Sequence, residues 1–158
     1  MPTHADWMRL ALDTCRRGIE AGQSPFGAVI VRGDDELIVA AHNVVWQTTD
    51  ITAHAEINAI RQACRKLATI DLSACCIYST TEPCPMCFAA SHWARLSHIY
   101  YGATIADANA VGFSDLSISN QQMKQLGGSG IAVSGGLLVD EAKALFTLWK
   151  NHPGSRSY

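Results

Sequence analysis

Whatever fold this chain adopts, it has to bring two short segments together: His54-Ala55-Glu56 and Pro83-Cys84-Pro85-Met86-Cys87. Each opens a stretch of helical spacing, and residues 57–82 between them read as helix, loop and strand. Cys84 and Cys87 are three residues apart, so on a helix both sulfurs lie on one face of the first turn. A helix N-terminus favours negative charge, which helps to keep them as thiolates. With His54 they make three protein ligands and leave the fourth tetrahedral position open. That is the pattern of a catalytic zinc site, whereas a closed structural site wants a fourth side chain. No second Cys-x-x-Cys pair is present to build a zinc ribbon. Alone, Cys84-x-x-Cys87 is equally compatible with redox chemistry; its combination with His54 and Glu56 argues for metal.

The remaining pattern is that of an α/β domain. Residues 4–20 place Met8, Ala11, Leu12, Cys15 and Ile19 at helical spacing, and Gly22 stops the run. Residues 26–31 and 37–41 are apolar and β-branched, joined by the polar turn Arg32-Gly33-Asp34-Asp35-Glu36, which predicts an antiparallel hairpin. A helix is predicted over 54–67, a strand over 75–80, a helix over 84–95 and a strand over 98–102. Residues 103–130, rich in Ser, Gly, Asn and Gln, read as less regular, with no helix or strand assigned. Ile131 to Ser134 is a last strand, Val139 to Lys150 a last helix, and Asn151 to Tyr158 a polar tail. The alternation predicts a three-layer α/β/α arrangement with helices on both faces of one sheet. No internal repeat or long linker divides residues 1–158, so one domain is expected.

Composition sets the class. With 158 residues, 48% hydrophobic and only 16% charged, the chain can bury a sizeable core. A net charge of -2 argues against a whole-surface attraction to nucleic acid. From Ile131 onward the basic groups are only Lys143, Lys150 and Arg156, beside Asp140 and Glu141. No apolar run approaches membrane-spanning length, and Met1 to Asp6 lack a signal-peptide pattern, so a soluble, cytoplasmic protein is expected. Cys15, Cys64, Cys75 and Cys76 read as small buried hydrophobes. Trp7, Trp46, Trp93 and Trp149 read as packing or dimer-contact residues, with Trp46 also able to edge a pocket.

Glu56 gives the metal constellation its meaning. Two residues beyond a ligand, it can lie near the metal without coordinating it and move protons there. A histidine, any residue and a glutamate, followed by P-C-x-x-C, is the signature of the zinc deaminases. Pro25-Phe26-Gly27-Ala28-Val29-Ile30-Val31, Thr52-Ala53-His54-Ala55-Glu56 and Thr81-Glu82-Pro83-Cys84-Pro85-Met86-Cys87 resemble the purine-directed branch of the cytidine-deaminase superfamily. That branch includes guanine deaminases and tRNA adenosine deaminases, and the resemblance covers nearly the whole chain. It implies a central mixed five-stranded sheet, one zinc ion per subunit, a zinc-activated water as nucleophile, and a homodimer.

The resemblance also assigns roles further along. Asp107 to Asp115 is similar to the guanine deaminases, which carry a Gly-Phe-acid-acid motif there. Asp115 takes the place of the last acid, which faces the substrate and assists proton transfer, although Ser114 departs from the pattern. The local alternative is that Asp115 caps a turn or helix. Asn43, leaving the second hairpin strand, is either a reader of the base's polar edge or an ordinary turn residue. Ala55 falls among the implied substrate contacts. Phe26 and Phe113 are pocket walls or core aromatics, and Glu82 is a metal-site neighbour or a helix-start charge. Tyr158 resembles the terminal tyrosine of deaminases whose tail closes the site, against the default of a disordered tail. The expected activity is hydrolytic deamination of a small purine, guanine to xanthine first. Guanosine, another free base or nucleoside such as cytosine or adenine, and tRNA adenosine are the alternatives, and a zinc-stabilised scaffold is the non-enzyme reading.

Overall fold

The computed structural model describes residues 1–158. One five-stranded mixed sheet organises the chain, in the order β2-β1-β3-β4-β5. Strands β1 (Gly27–Arg32) and β2 (Glu36–His42) form the expected antiparallel hairpin. Strand β3 (Cys75–Thr81) runs antiparallel to β1, and β4 (His98–Ala103) and β5 (Ala132–Ser134) continue parallel from it. Because β1 is interior to the sheet and covered on both faces, its side chains are almost all buried. Val29 and Val31 point to one core; Ala28 and Ile30 point to the other.

The first core is closed by α1 (His4–Glu20) and α7 (Val139–Lys150). Helix α1 starts with a capping box between Thr3 and Asp6 and lays Trp7, Met8, Ala11, Leu12, Cys15 and Ile19 on the sheet. A methyl at Gly27 would stand 2.5 Å from the Ala11 carbonyl oxygen, so glycine lets α1 approach β1 this closely. The second core lies under α3 (Ala55–Leu67) and α4 (Pro85–Trp93), which contribute Ala55, Ala59, Ala63 and Phe88. Small residues on α3 bring its axis close to the sheet and carry its N-terminus toward the end of β3. No helix is long and apolar enough to cross a membrane.

Two expectations are corrected. Residues 103–130 are not irregular: they hold α5 (Ile105–Ala110) and α6 (Asn120–Gly127). Each starts with a capping box, Thr104 with Asp107 and Ser119 with Gln122, a signal that outweighs their weak apolar periodicity. A further single turn, α2 (Val45–Thr48), follows β2. The cysteines outside the motif are free; Cys15 and Cys75 are buried, while Cys64 and Cys76 are half-buried. Trp7 and Trp149 are core residues, but Trp93 is 82% exposed.

Candidate active site

The site lies beyond the C-terminal end of β3, where the N-termini of α3 and α4 converge. His54 and Cys84 are the N-cap residues of these helices, in extended conformation, and neither side chain caps its own helix. Both are therefore free to face outward. Pro85 at the first helical position of α4 suits this start, since its missing N–H is one the helix would leave unbonded. Cys87, one turn on, is fully buried.

His54 Nδ1 lies 3.6 Å from Cys84 Sγ and 3.6 Å from Cys87 Sγ. A tetrahedral zinc with ordinary Zn–N and Zn–S bonds requires an N···S edge of about 3.6 Å. His54, Cys84 and Cys87 form the one cluster whose ligand atoms converge closely enough to hold a metal. The donor set and its spacing thus fit zinc, with the fourth position open. In the absence of metal, the hydrogen bond received from Cys87 drives the Cys84 thiol down to about 4. The same bond and burial push Cys87 up. One proton is held between two sulfurs built to be thiolates.

Glu56, in the first turn of α3, is buried beside the cluster without belonging to it. Its Oε2 is 3.4 Å from Cys87 Sγ, and its Oε1 is 2.7 Å from Ser79 Oγ. Burial raises its pKa. The Ser79 hydroxyl, near the end of β3, is also 2.7 Å from the Thr81 carbonyl oxygen. It can donate its one proton to an ionised Glu56, or donate to Thr81 and accept from a protonated Glu56. Ser79 therefore supports both states of the carboxyl. Sequence reading missed it, because Ser79 stands in a run of hydroxyl residues, Tyr78-Ser79-Thr80-Thr81, that does not single it out.

Asp115 reaches the site from the loop between α5 and α6 and lines it together with Phe26, His54, Glu56, Cys84, Phe113 and Tyr158. Its side chain caps nothing; burial, and then the Cys84 thiolate, raise its pKa. Phe113 is buried edge-on against Phe26, with centroids 4.9 Å apart, and against Tyr158 at 5.2 Å. Phe26 and Phe113 are thus pocket wall and core at once. The Ala55 methyl is wholly buried in the core beneath α3. Glu82 does not serve its own helix start. Its two oxygens accept the N–H groups of Ile105 and Asn120, the first residues of α5 and α6.

The tail folds back over this cluster. The Tyr158 phenol enters the site, 5.6 Å from the His54 ring centroid to centroid, and accepts a 2.7 Å hydrogen bond from Asn43 Nδ2. Asn43 is fully buried, and its Oδ1 is committed to the Val45 N–H. Trp46 flanks Tyr158 and carries the Arg156 guanidinium 3.9 Å above its ring. With the phenol in place the inner space is about 20 Å³, room for no more than a water.

A deep zinc triad with an uncoordinated buried glutamate, set on an α/β/α sheet, defines a zinc-dependent deaminase. Residues 1–103 match the family described as the cytidine and deoxycytidylate deaminase zinc-binding region. The chain is 36% identical to the guanine deaminase of Bacillus subtilis over 98% of its own length and 99% of that protein. It superposes on a solved guanine deaminase from Nitrosomonas europaea with a TM-score of 0.87 at 34% identity, covering 94% of this chain and 85% of that one. It is 42% identical to the tRNA-specific adenosine deaminase of Aquifex aeolicus over 61% of this chain and 64% of that protein. The chain belongs to the cytidine and deoxycytidylate deaminase family and is a zinc-binding enzyme of that family.

Proposed function

We propose that this chain hydrolyses guanine to xanthine and ammonia. The observation that carries the reading is the full-length likeness to a guanine deaminase, 36% identity over 98% of this chain and 99% of that protein. The residues after the zinc motifs, which supply Phe113, Asp115 and Tyr158, are those that decide what enters the site.

When bound, zinc supplies the Lewis acidity that makes a water acidic enough to act as nucleophile near neutral pH. Glu56 takes the proton released as that water adds to C2 of guanine and delivers it to the adjacent ring nitrogen. Loss of ammonia then needs a proton on the departing amine, which Glu56 or Asp115 takes from the hydroxyl left on C2 as its carbonyl forms. Water plus guanine gives xanthine plus ammonia, with both carboxyls restored. Asn43 has one free group, its Nδ2, so it reads an acceptor on the base. Phe26 and Phe113 hold the flat ring. Entry requires residues 151–158 to withdraw, and the substrate then takes the bond that Tyr158 makes to Asn43. A homodimeric, cytoplasmic enzyme, with one domain over residues 1–158, belongs to the same proposal.

Ammonia release is the test, with the zinc-loaded protein offered guanine, guanosine, adenine, cytosine, cytidine and a tRNA with adenosine at the wobble position. Turnover of guanine in preference to the rest supports the reading. Turnover of guanosine, of a pyrimidine or only of tRNA replaces the substrate while keeping the mechanism, and silence on all of them favours a zinc-stabilised scaffold.

A further inference from the structure

Asp115 sits on a segment with few supports. The chain leaves α5 through Gly112, whose φ of +111° suits glycine alone, and Phe113 is anchored in the core. The next fixed point is Asn120, tied to Glu82 and Pro83. Between them, residues 114–118 form no helix or strand. The Asp115 side chain makes no hydrogen bond, so nothing at its own end directs it.

Asn109, in the last turn of α5, grips the main chain of Asp115 in both directions. Its Oδ1 accepts the Asp115 N–H at 2.9 Å, and its Nδ2 donates to the Asp115 carbonyl oxygen at 3.2 Å. The same Nδ2 lies 3.4 Å from Ser117 Oγ. An amide that pairs with the N–H and C=O of one residue acts as a strand partner for it. It ties the main chain of that residue to the last turn of α5. The other tie to the rest of the fold is the Ser114 N–H bonded to the main-chain oxygen of Tyr158, at 3.2 Å. That bond belongs to the tail and is lost when the tail withdraws. Asn109 is then the one hydrogen-bonding anchor left on the segment that carries Asp115.

We propose that Asn109 is a positioning residue for the reaction, holding the Asp115 carboxyl over the open side of the zinc site through the main chain while the tail is displaced. This rests on the role given to Asp115 above. Misplacing a reacting group by about 1 Å lowers turnover by up to roughly a hundredfold. Asn109→Ala is expected to lower kcat by between tenfold and a hundredfold on those grounds. KM should stay within about twofold, since Asn109 lines no part of the pocket.

The experiment is a double-mutant cycle of Asn109→Ala with Asp115→Asn. It reads kcat and KM for the substrate that the ammonia assay identifies, with zinc content and the melting midpoint measured on each variant. Asn109→Asp, an isosteric change that keeps the acceptor and loses the donor, is the second variant and should fall between wild type and Asn109→Ala. The expected result is that Asn109→Ala changes kcat by less than about twofold once Asp115 is already asparagine. An equal loss in both backgrounds overturns the proposal, because Asn109 then acts without Asp115. Full kcat in Asn109→Ala and Asn109→Asp, with Asp115→Asn impaired, also overturns it and leaves the role of Asp115 standing. Full kcat in Asp115→Asn removes that role and the proposal with it.

Discussion

Replacing Glu56 by glutamine separates chemistry from folding at this site. The substitution keeps volume and leaves Ser79 a carbonyl oxygen to bond at the 2.7 Å position. It removes the buried carboxyl placed to accept the proton of the attacking water. A positioned acid or base contributes about 10²–10⁴-fold. Glu56 is needed twice, to accept from water and to donate to the ring, so a loss of about 10⁴ in kcat is expected, or about 5.4 kcal/mol of barrier. Stability should move the other way in the zinc-free protein. Burial raises the Glu56 pKa above its ordinary 4.5, so what the group contributes is fully present below that value and lost as pH rises through the folded value. At pH 7 glutamine escapes that loss, and the variant should melt higher than wild type after chelation, with the gap closing in acid. Ammonia release, zinc content and thermal melting with and without chelator read all three effects. A Glu56→Gln protein with one zinc and more than a few per cent of wild-type kcat would refute the reasoning.

Three further outcomes are expected. Cys87→Ala should lose zinc and activity together and melt lower, because the ligands tie α3 to α4; full zinc content with full turnover would exclude the ligand set. Tyr158→Phe removes the hydroxyl that competes with substrate for Asn43, a bond worth about 1 kcal/mol, so KM should fall by about fivefold in initial-rate measurements. An unchanged KM would mean that the phenol and the base do not share that partner. Asp107→Asn should weaken folding at pH 7, since the bonds from Thr104 lower the Asp107 pKa. That stabilisation is present above the ordinary value of 3.8 and lost as pH falls through the lowered one, so urea titrations should find the two proteins converging in acid.

The zinc site was legible because its parts are local. His54-Ala55-Glu56 and the Cys84–Cys87 pair each lie within one turn, and only the meeting of α3 and α4 is tertiary. The sheet was legible for a similar reason, as β1 to β4 announce themselves by apolar, β-branched runs bounded by turn residues. What could not be read was anything made by a side chain reaching across the fold. Asn109 beside Asp115, Glu82 on the starts of α5 and α6, and Ser79 on Glu56 join separate elements. None of these residues has a spacing that marks it. Helices α5 and α6 were lost to a different cause: their capping boxes were visible in sequence, but an apolar stripe was the stronger criterion applied to them.

The helix starts show why these cross-connections gather here. Four N-termini approach the end of β3, each presenting unbonded N–H groups and a partial positive charge. Those of α3 and α4 face the metal ligands. Those of α5 and α6 are turned onto Glu82, whose two carboxylate oxygens they occupy. Glu82 therefore spends both oxygens on backbone N–H groups, although it stands only two residues before Cys84. Glu56 instead lies between a serine hydroxyl and a thiol, and burial raises its pKa. Two buried glutamates within one site thus have different partners: Glu82 bridges two helix starts, and Glu56 bonds a serine hydroxyl beside the metal ligands. The difference comes from which groups each can reach: the N–H groups at the starts of α5 and α6 occupy Glu82, and Glu56 is left beside the metal ligands, where the proton transfers proposed for it would take place.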